Sequence, residues 1–223
     1  MTRTACGPAA KGSQRWLQVI ANQERLLFDR SIADSGLGSV EWLSPLAGDE
    51  YAEYRDDEFL RLLSLQLPHR SLRSFWPNRG PRWDGLARSA AGSVLLIEAK
   101  ANLPELVSSG SRASPPSAVR ISHAMLEAKP SFGAPASADW TSTYYQYANR
   151  LAHLHLLRAC NYLDAYLVSL YFTGASDVHG PTTREEWLAP IAAVHHALQL
   201  GNGPLSPFVL DAFVDVAHLL PAS

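Results

Sequence analysis

Residues 83–100 read WDGLARSAAGSVLLIEAK, and this stretch decides the fold. Two largely apolar segments flank Ala90-Ala91-Gly92, a connection that fits a type I turn followed by a glycine in the left-handed region. With Ser89 facing Ser93, counting outward along both strands places Asp84 opposite Glu98. Cross-strand neighbours in such a register bring their Cβ atoms about 4.5–5.5 Å apart on one face. Strand alternation then sets Lys100 on the side of Glu98, roughly 7 Å further along. Two carboxylates and an ammonium are therefore expected at the mouth of a buried hairpin.

After this hairpin, residues 102–139 are dense in Ser, Pro, Ala and Gly, with a helix expected at 117–129. An excursion of that length reads as a mobile lid or surface loop. Residues 140–160 repeat Tyr144, Tyr147, Ala148, Leu151, Leu154 and Leu157 at helical spacing, which gives a broad apolar stripe. AYLVSLYF at 165–172 is a short apolar run rich in strand formers, the pattern of a strand buried on both faces. Helices are expected at 182–200 and 206–220, separated by Gly201-Asn202-Gly203-Pro204.

Before the hairpin, residues 71–76 form a further extended candidate, so that 71–76, 82–89 and 93–101 read as a meander. Residues 49–67 read as a helix with acids in its first turns, as the helix dipole favours, closed by Pro68. Residues 40–46 suit a short strand stopped by Pro45, and residues 13–29 a helix capped by Ser13. Residues 1–12 read as a disordered tail. The order predicts an α/β fold, a mixed central sheet with an αβββαβ core flanked by helices, in one domain over residues 13–223.

Bulk composition narrows the function classes. With 223 residues, 47% hydrophobic and 18% charged, the chain suits one globular domain. No apolar run reaches the roughly 18–20 residues of a membrane span, and residues 1–12 lack the apolar centre of a signal peptide; a cytoplasmic protein with no membrane partner is expected. Cys6 and Cys160 suggest neither a disulfide framework nor a zinc knuckle. A net charge of −2 argues against general coating of nucleic acid. Locally, however, Arg70, Arg73, Arg79, Arg82 and Arg88 surround the single acid Asp84, a patch able to hold phosphates.

Paired carboxylates repel unless a cation sits between them, and hard oxygen ligands suit Mg²⁺ or Mn²⁺. The Ala99 carbonyl is a further candidate ligand. A lysine beside such a site steers or deprotonates water, or balances phosphate charge, and these are the parts of metal-assisted phosphodiester hydrolysis. His153 and His155 stand two apart on a helix, and His195-His196 are adjacent, so neither pair reads as a zinc site. Of Tyr144, Tyr145 and Tyr147, Tyr145 is the one expected to be exposed and able to stack on a base.

Asp84 with Glu98-Ala99-Lys100, in this order of elements, resembles the PD-(D/E)XK nuclease superfamily, whose fold is restriction-endonuclease-like. The resemblance covers about residues 49–174. It implies that Asp84 and Glu98 bind the metal and that Lys100 serves the attacking water. Trp83 stands where the family often has proline. Exonuclease-like branches carry a QxxxY motif on the following helix; here Gln146 matches its glutamine, whereas Arg150 replaces the tyrosine. Gln146 is carried over as a site residue, with Arg150, Arg79 and Arg82 as phosphate-binding residues. Many members add an acid from the first core helix, for which Glu58 is chosen over Glu53 and Asp56. The implied function is a Mg²⁺-dependent nuclease, a hydrolase acting on nucleic acid, DNA in the first instance, alone or as a homodimer. The alternative is a catalytically inactive fold of this kind serving as a binding or assembly module.

Overall fold

Two largely buried segments joined by a glycine-closed turn make residues 85–100 a hairpin, and the sheet is assembled around it. The computed structural model describes residues 3–219. Its strands are β1 (Arg3–Thr4), β2 (Val40–Ser44), β3 (Glu53–Tyr54), β4 (Gly85–Ser89), β5 (Val94–Lys100), β6 (Ala165–Thr173) and β7 (Val209–Asp215). Its helices are α1 (Gly12–Asn22), α2 (Arg25–Ser31), α3 (Asp57–Leu62), α4 (Leu72–Phe75), α5 (Pro115–Ala128), α6 (Tyr145–His155) and α7 (Arg184–Ala197). A mixed five-stranded sheet runs β2-β4-β5-β6-β7. β4 runs antiparallel to both of its neighbours, β2 and β5, and β5, β6 and β7 are parallel. The protein is thus of the α/β class.

In the hairpin, Gly85 pairs with Ile97 and Arg88 with Val94. The Ser89 N–H donates to the Ser93 carbonyl at 2.8 Å, and Gly92 takes φ +94°, which a side chain would oppose. Asp84 lies one residue before β4, at the level of Glu98.

Alternation along β5 and β6 divides the interior into two cores. Leu95, Ile97 and Ala99, with Val168, Leu170 and Phe172, pack against Trp16, Leu17 and Ile20 of α1 and Phe28 of α2. Val94, Leu96 and Leu167 face the other way, toward α5, α6 and the aromatic residues Phe59, Phe75, Trp76 and Trp83. Glu98 and Lys100 share the parity of Leu96, so they point to the α6 side. β6 is buried along nearly its whole length, which is why its sequence is apolar without alternation.

Several elements differ from the sequence reading. Residues 13–29 form two helices, α1 and α2, with a break at Gln23-Glu24, and the first is capped at Lys11 rather than Ser13. Residues 49–67 hold β3 and the short α3 instead of one long helix. Residues 71–76 are helical, because the Ser71 hydroxyl accepts from the Ser74 N–H as an N-cap. The first strand of the antiparallel trio is therefore β2, not 71–76. The expected tail is ordered from Arg3 onward: β1 pairs with β3, and the Arg3 guanidinium holds Asp49 at 2.6 Å. Met1 and Thr2 lie outside the described residues.

The C-terminal helix expected at 206–220 is instead β7, Leu220 lying outside the described residues. Val209–Asp215 satisfies either period over so short a run. The deciding factor is the neighbouring edge of β6, whose buried backbone groups need partners. Residues 102–139 are not a lid. Ile121, Ala124 and Met125 of α5 and, beyond it, Phe132 lie in the core against α6, and the Trp140 indole donates to the Leu198 carbonyl at 2.9 Å. Among the described residues, no helix is long and apolar enough to cross a membrane.

Candidate active site

At the end of β5, Glu98 is 6% exposed and yet ionised, because three donors surround it. Its Oε1 accepts from Lys100 Nζ at 2.7 Å and from Gln146 Nε2 at 2.6 Å; its Oε2 accepts from Arg150 Nε at 2.8 Å. Burial opposes the charge, but Arg150 and Lys100 outweigh it and hold the carboxyl below its ordinary range. The Lys100 ammonium also reaches Gln146 Oε1 at 3.2 Å. Burial works to lower Lys100, yet Glu98 and Asp84 keep it above its ordinary value. Lys100 is therefore a cation at neutral pH.

Asp84 is half-buried and accepts the Ala99 N–H on Oδ2 at 2.9 Å, a link that ties the residue before β4 to the end of β5. Its carboxyl is pushed up to about 7 by burial and by the negative charge of Glu98. Oδ1 makes no hydrogen bond among the described residues. The hairpin register and the α6 face thus bring Asp84, Glu98, Lys100, Gln146 and Arg150 together. Ala99 contributes its N–H to this arrangement.

Gln146 and Arg150 stand one helical turn apart on α6. The Gln146 N–H donates to Ser108 Oγ at 2.8 Å, which anchors the start of the helix. Arg150 was expected on a phosphate and is instead engaged internally. Besides Glu98, it donates to the Arg82 carbonyl at 2.7 Å, and its guanidinium lies 4.8 Å from the centroid of the Trp83 ring. Trp83 thus supplies a platform for Arg150 at the position before Asp84.

The three acids considered from the N-terminal half lie in different surroundings. Glu58 lies on α3 and pairs with Arg61 at 2.9 Å; among the described residues it makes no hydrogen bond or ion pair with Asp84 or Glu98. Asp56 holds the backbone N–H groups of Arg79 and Gly80, at 3.2 and 2.9 Å. Glu53, on β3, is the acid close enough to feel Glu98. Burial pushes its carboxyl up, Arg82 at 3.7 Å pulls it down, and Glu98 pushes it up further. The Tyr54–Trp83 bridge fixes β3 beside the residue preceding Asp84, a tertiary pairing that no local pattern announces.

A cavity of about 560 Å³ is lined by Trp76, Arg79, Ser111, Arg112 and Tyr145, the last of these next to Gln146 in sequence. The Arg79 and Arg112 guanidinium groups make no ion pair among the described residues, whereas Arg88 is directed to the Leu63 carbonyl. Tyr145 is half-buried at the cavity wall rather than freely exposed. Arg112 was not anticipated, since its surrounding Ser-rich segment reads as an uninformative loop.

Elsewhere, Glu127, His155 and Cys160 place a carboxylate oxygen, a ring nitrogen and a sulfur within 4.8 Å of one another. The sequence reading missed this group because its members come from α5, α6 and the π-helical turn Leu156–Cys160. No protein-family model, curated protein or solved structure gives a significant match to this chain.

Proposed function

We propose that the chain is a metal-dependent phosphodiesterase, a nuclease of the PD-(D/E)XK kind, with Asp84, Glu98 and Lys100 at its centre. The observation that carries this reading is the convergence of Asp84 with Glu98, Lys100 and Gln146 at the open end of β5. Further support comes from the arrangement of an antiparallel trio, β2-β4-β5, followed by a helix and by β6 parallel to β5, which resembles the core of that superfamily.

The donor set fits a hard divalent cation. Asp84 has a carboxylate oxygen without a hydrogen bond among the described residues, Glu98 and Glu53 are acids within mutual influence, and burial together with the charge of Glu98 pushes the Asp84 carboxyl up, which a divalent ion between the two would oppose. Asp84 and Glu98 would hold Mg²⁺ or Mn²⁺, with Glu53 in place of Glu58 as the third acid. Such an ion supplies Lewis-acid polarisation of the phosphoryl oxygen and a more acidic bound water. Lys100, kept protonated by its neighbours, donates to water or phosphate oxygen and balances developing negative charge. Gln146 positions it by accepting from Nζ while donating to Glu98. Arg79 and Arg112, without ion pairs among the described residues, suit the phosphates of a nucleic-acid strand lying along the cavity that they line.

A second reading is favoured by one feature. Arg150 occupies Glu98 Oε2 as a fixed cation, which suits a fold retained as a nucleic-acid binding or assembly module. The two separate in one experiment. Labelled DNA is incubated with Mg²⁺ or Mn²⁺ and the parent protein, Asp84→Ala or Lys100→Ala, with binding followed by anisotropy. Cleavage by the parent alone is the expected result; equal cleavage by all three refutes the nuclease reading, and binding without cleavage by any of them favours the module.

A further inference from the structure

The geometry points to a second metal site, remote from the carboxylate pair, in which Glu127, His155 and Cys160 bind a borderline-soft divalent ion such as Zn²⁺. Glu127 Oε1 lies 3.6 Å from His155 Nε2 and 3.7 Å from Cys160 Sγ. Ligand atoms about 2.0–2.3 Å from a tetrahedral zinc are separated by roughly 3.3–3.8 Å, so the spacing is already close to what one ion needs.

The independent sign is the state of His155. The residue is 7% exposed, and its Nε2 is buried without a hydrogen bond among the described residues. An orphaned buried ring nitrogen is costly unless something occupies its lone pair. Its other nitrogen, Nδ1, lies 2.8 Å from Ser131 Oγ. With Nδ1–H donating there, Nε2 is the bare, ligating atom, the arrangement by which outer partners orient metal-bound histidines. The ring is also held in plane by stacking on Phe75, with centroids 6.2 Å apart.

Backbone geometry brings the thiol to the same place. Residues 155 and 160 would diverge on a regular α-helix, but the π-helical turn Leu156–Cys160, with i→i+5 bonding, carries Cys160 to the side of His155. Arg70 Nη1 holds Glu127 Oε1 at 2.5 Å. That oxygen is also the one nearest His155 and Cys160; with two lone pairs it can keep Arg70 as an outer partner while it ligates. Three protein ligands from α5, α6 and the π turn leave a fourth position for water, and the exposed side of Glu127 opens that position to solvent. Binding converts the Cys160 thiol to a metal thiolate and releases one proton.

The test uses the full chain, stripped by chelator and titrated with Co²⁺ as a spectroscopic probe, then with Zn²⁺ in competition. The expected result is one equivalent of Co²⁺ bound with one proton released, a thiolate-to-cobalt charge-transfer band, and displacement by Zn²⁺ with no further proton released. Cys160→Ser abolishes the band, whereas Cys6→Ser and Asp84→Asn retain it. Glu127→Gln, on the surface and tolerant of change, weakens binding by more than the roughly tenfold typical of losing an outer partner. Absence of a stoichiometric band in the parent protein, a band that survives Cys160→Ser, or unchanged affinity in Glu127→Gln each overturns the proposal.

Discussion

Replacing Asp84 by Asn isolates the electrostatics of the carboxylate pair. The side chain keeps an oxygen for the Ala99 N–H and loses only its charge. In the folded protein Asp84 is pushed from 3.8 up to about 7 by burial and by Glu98, so the fold binds a proton there that the unfolded chain releases earlier. Stability linked to this proton is fully present below about pH 4 and is lost as pH rises to about 7, at about 1.4 kcal/mol per pH unit. Above that window the loss levels off, on the order of 4 kcal/mol. Asp84→Asn, neutral throughout, escapes it. Urea unfolding followed by tryptophan fluorescence without divalent ions should therefore find the variant near parity at pH 4 and more stable at pH 8. Adding Mn²⁺ at pH 8 should stabilise the parent, by about 2.7 kcal/mol at a hundredfold excess over Kd, and leave the variant unchanged. A difference independent of pH, or a variant less stable at pH 8, would refute the reasoning.

Two further outcomes follow from the same packing. Arg150→Met leaves Glu98 buried without its Oε2 partner and should cost about 3–5 kcal/mol in chemical unfolding, much of it recovered in the double variant with Glu98→Gln; additive losses would show the two residues to be uncoupled. In Gly180→Ala, the new Cβ would sit 1.9 Å from the Ala101 carbonyl, directly after Lys100. This overpacking should lower stability by about 1–3 kcal/mol, read as a melting point depressed by about 2–4 °C per kcal/mol; an unchanged melting point would mean that this contact is not made.

What the amino-acid sequence determined by itself is local and periodic. The turn Ala90-Ala91-Gly92 sets the register of β4 on β5, because a glycine at positive φ closes a three-residue loop, and strand parity then sends Glu98 and Lys100 to one face. The apolar run of β6 and the stripe of α6 were legible for the same reason, which made Gln146 and Arg150 readable as sharing one face of that helix; that Arg150 turns inward to Glu98 was not. Tertiary structure decided what local pattern leaves degenerate. Residues 209–215 suit helix or strand until the buried edge of β6 demands backbone partners. Residues 115–140 look like a surface excursion until Ile121, Phe132 and Trp140 find a core to fill. Glu53, rather than Glu58, lies close enough to feel Glu98 because Tyr54 of β3 pairs with Trp83, and Cys160 meets His155 through a π turn. Long-range backbone pairing and burial chose among alternatives whose local energies are nearly equal, and spacing along a chain does not record them.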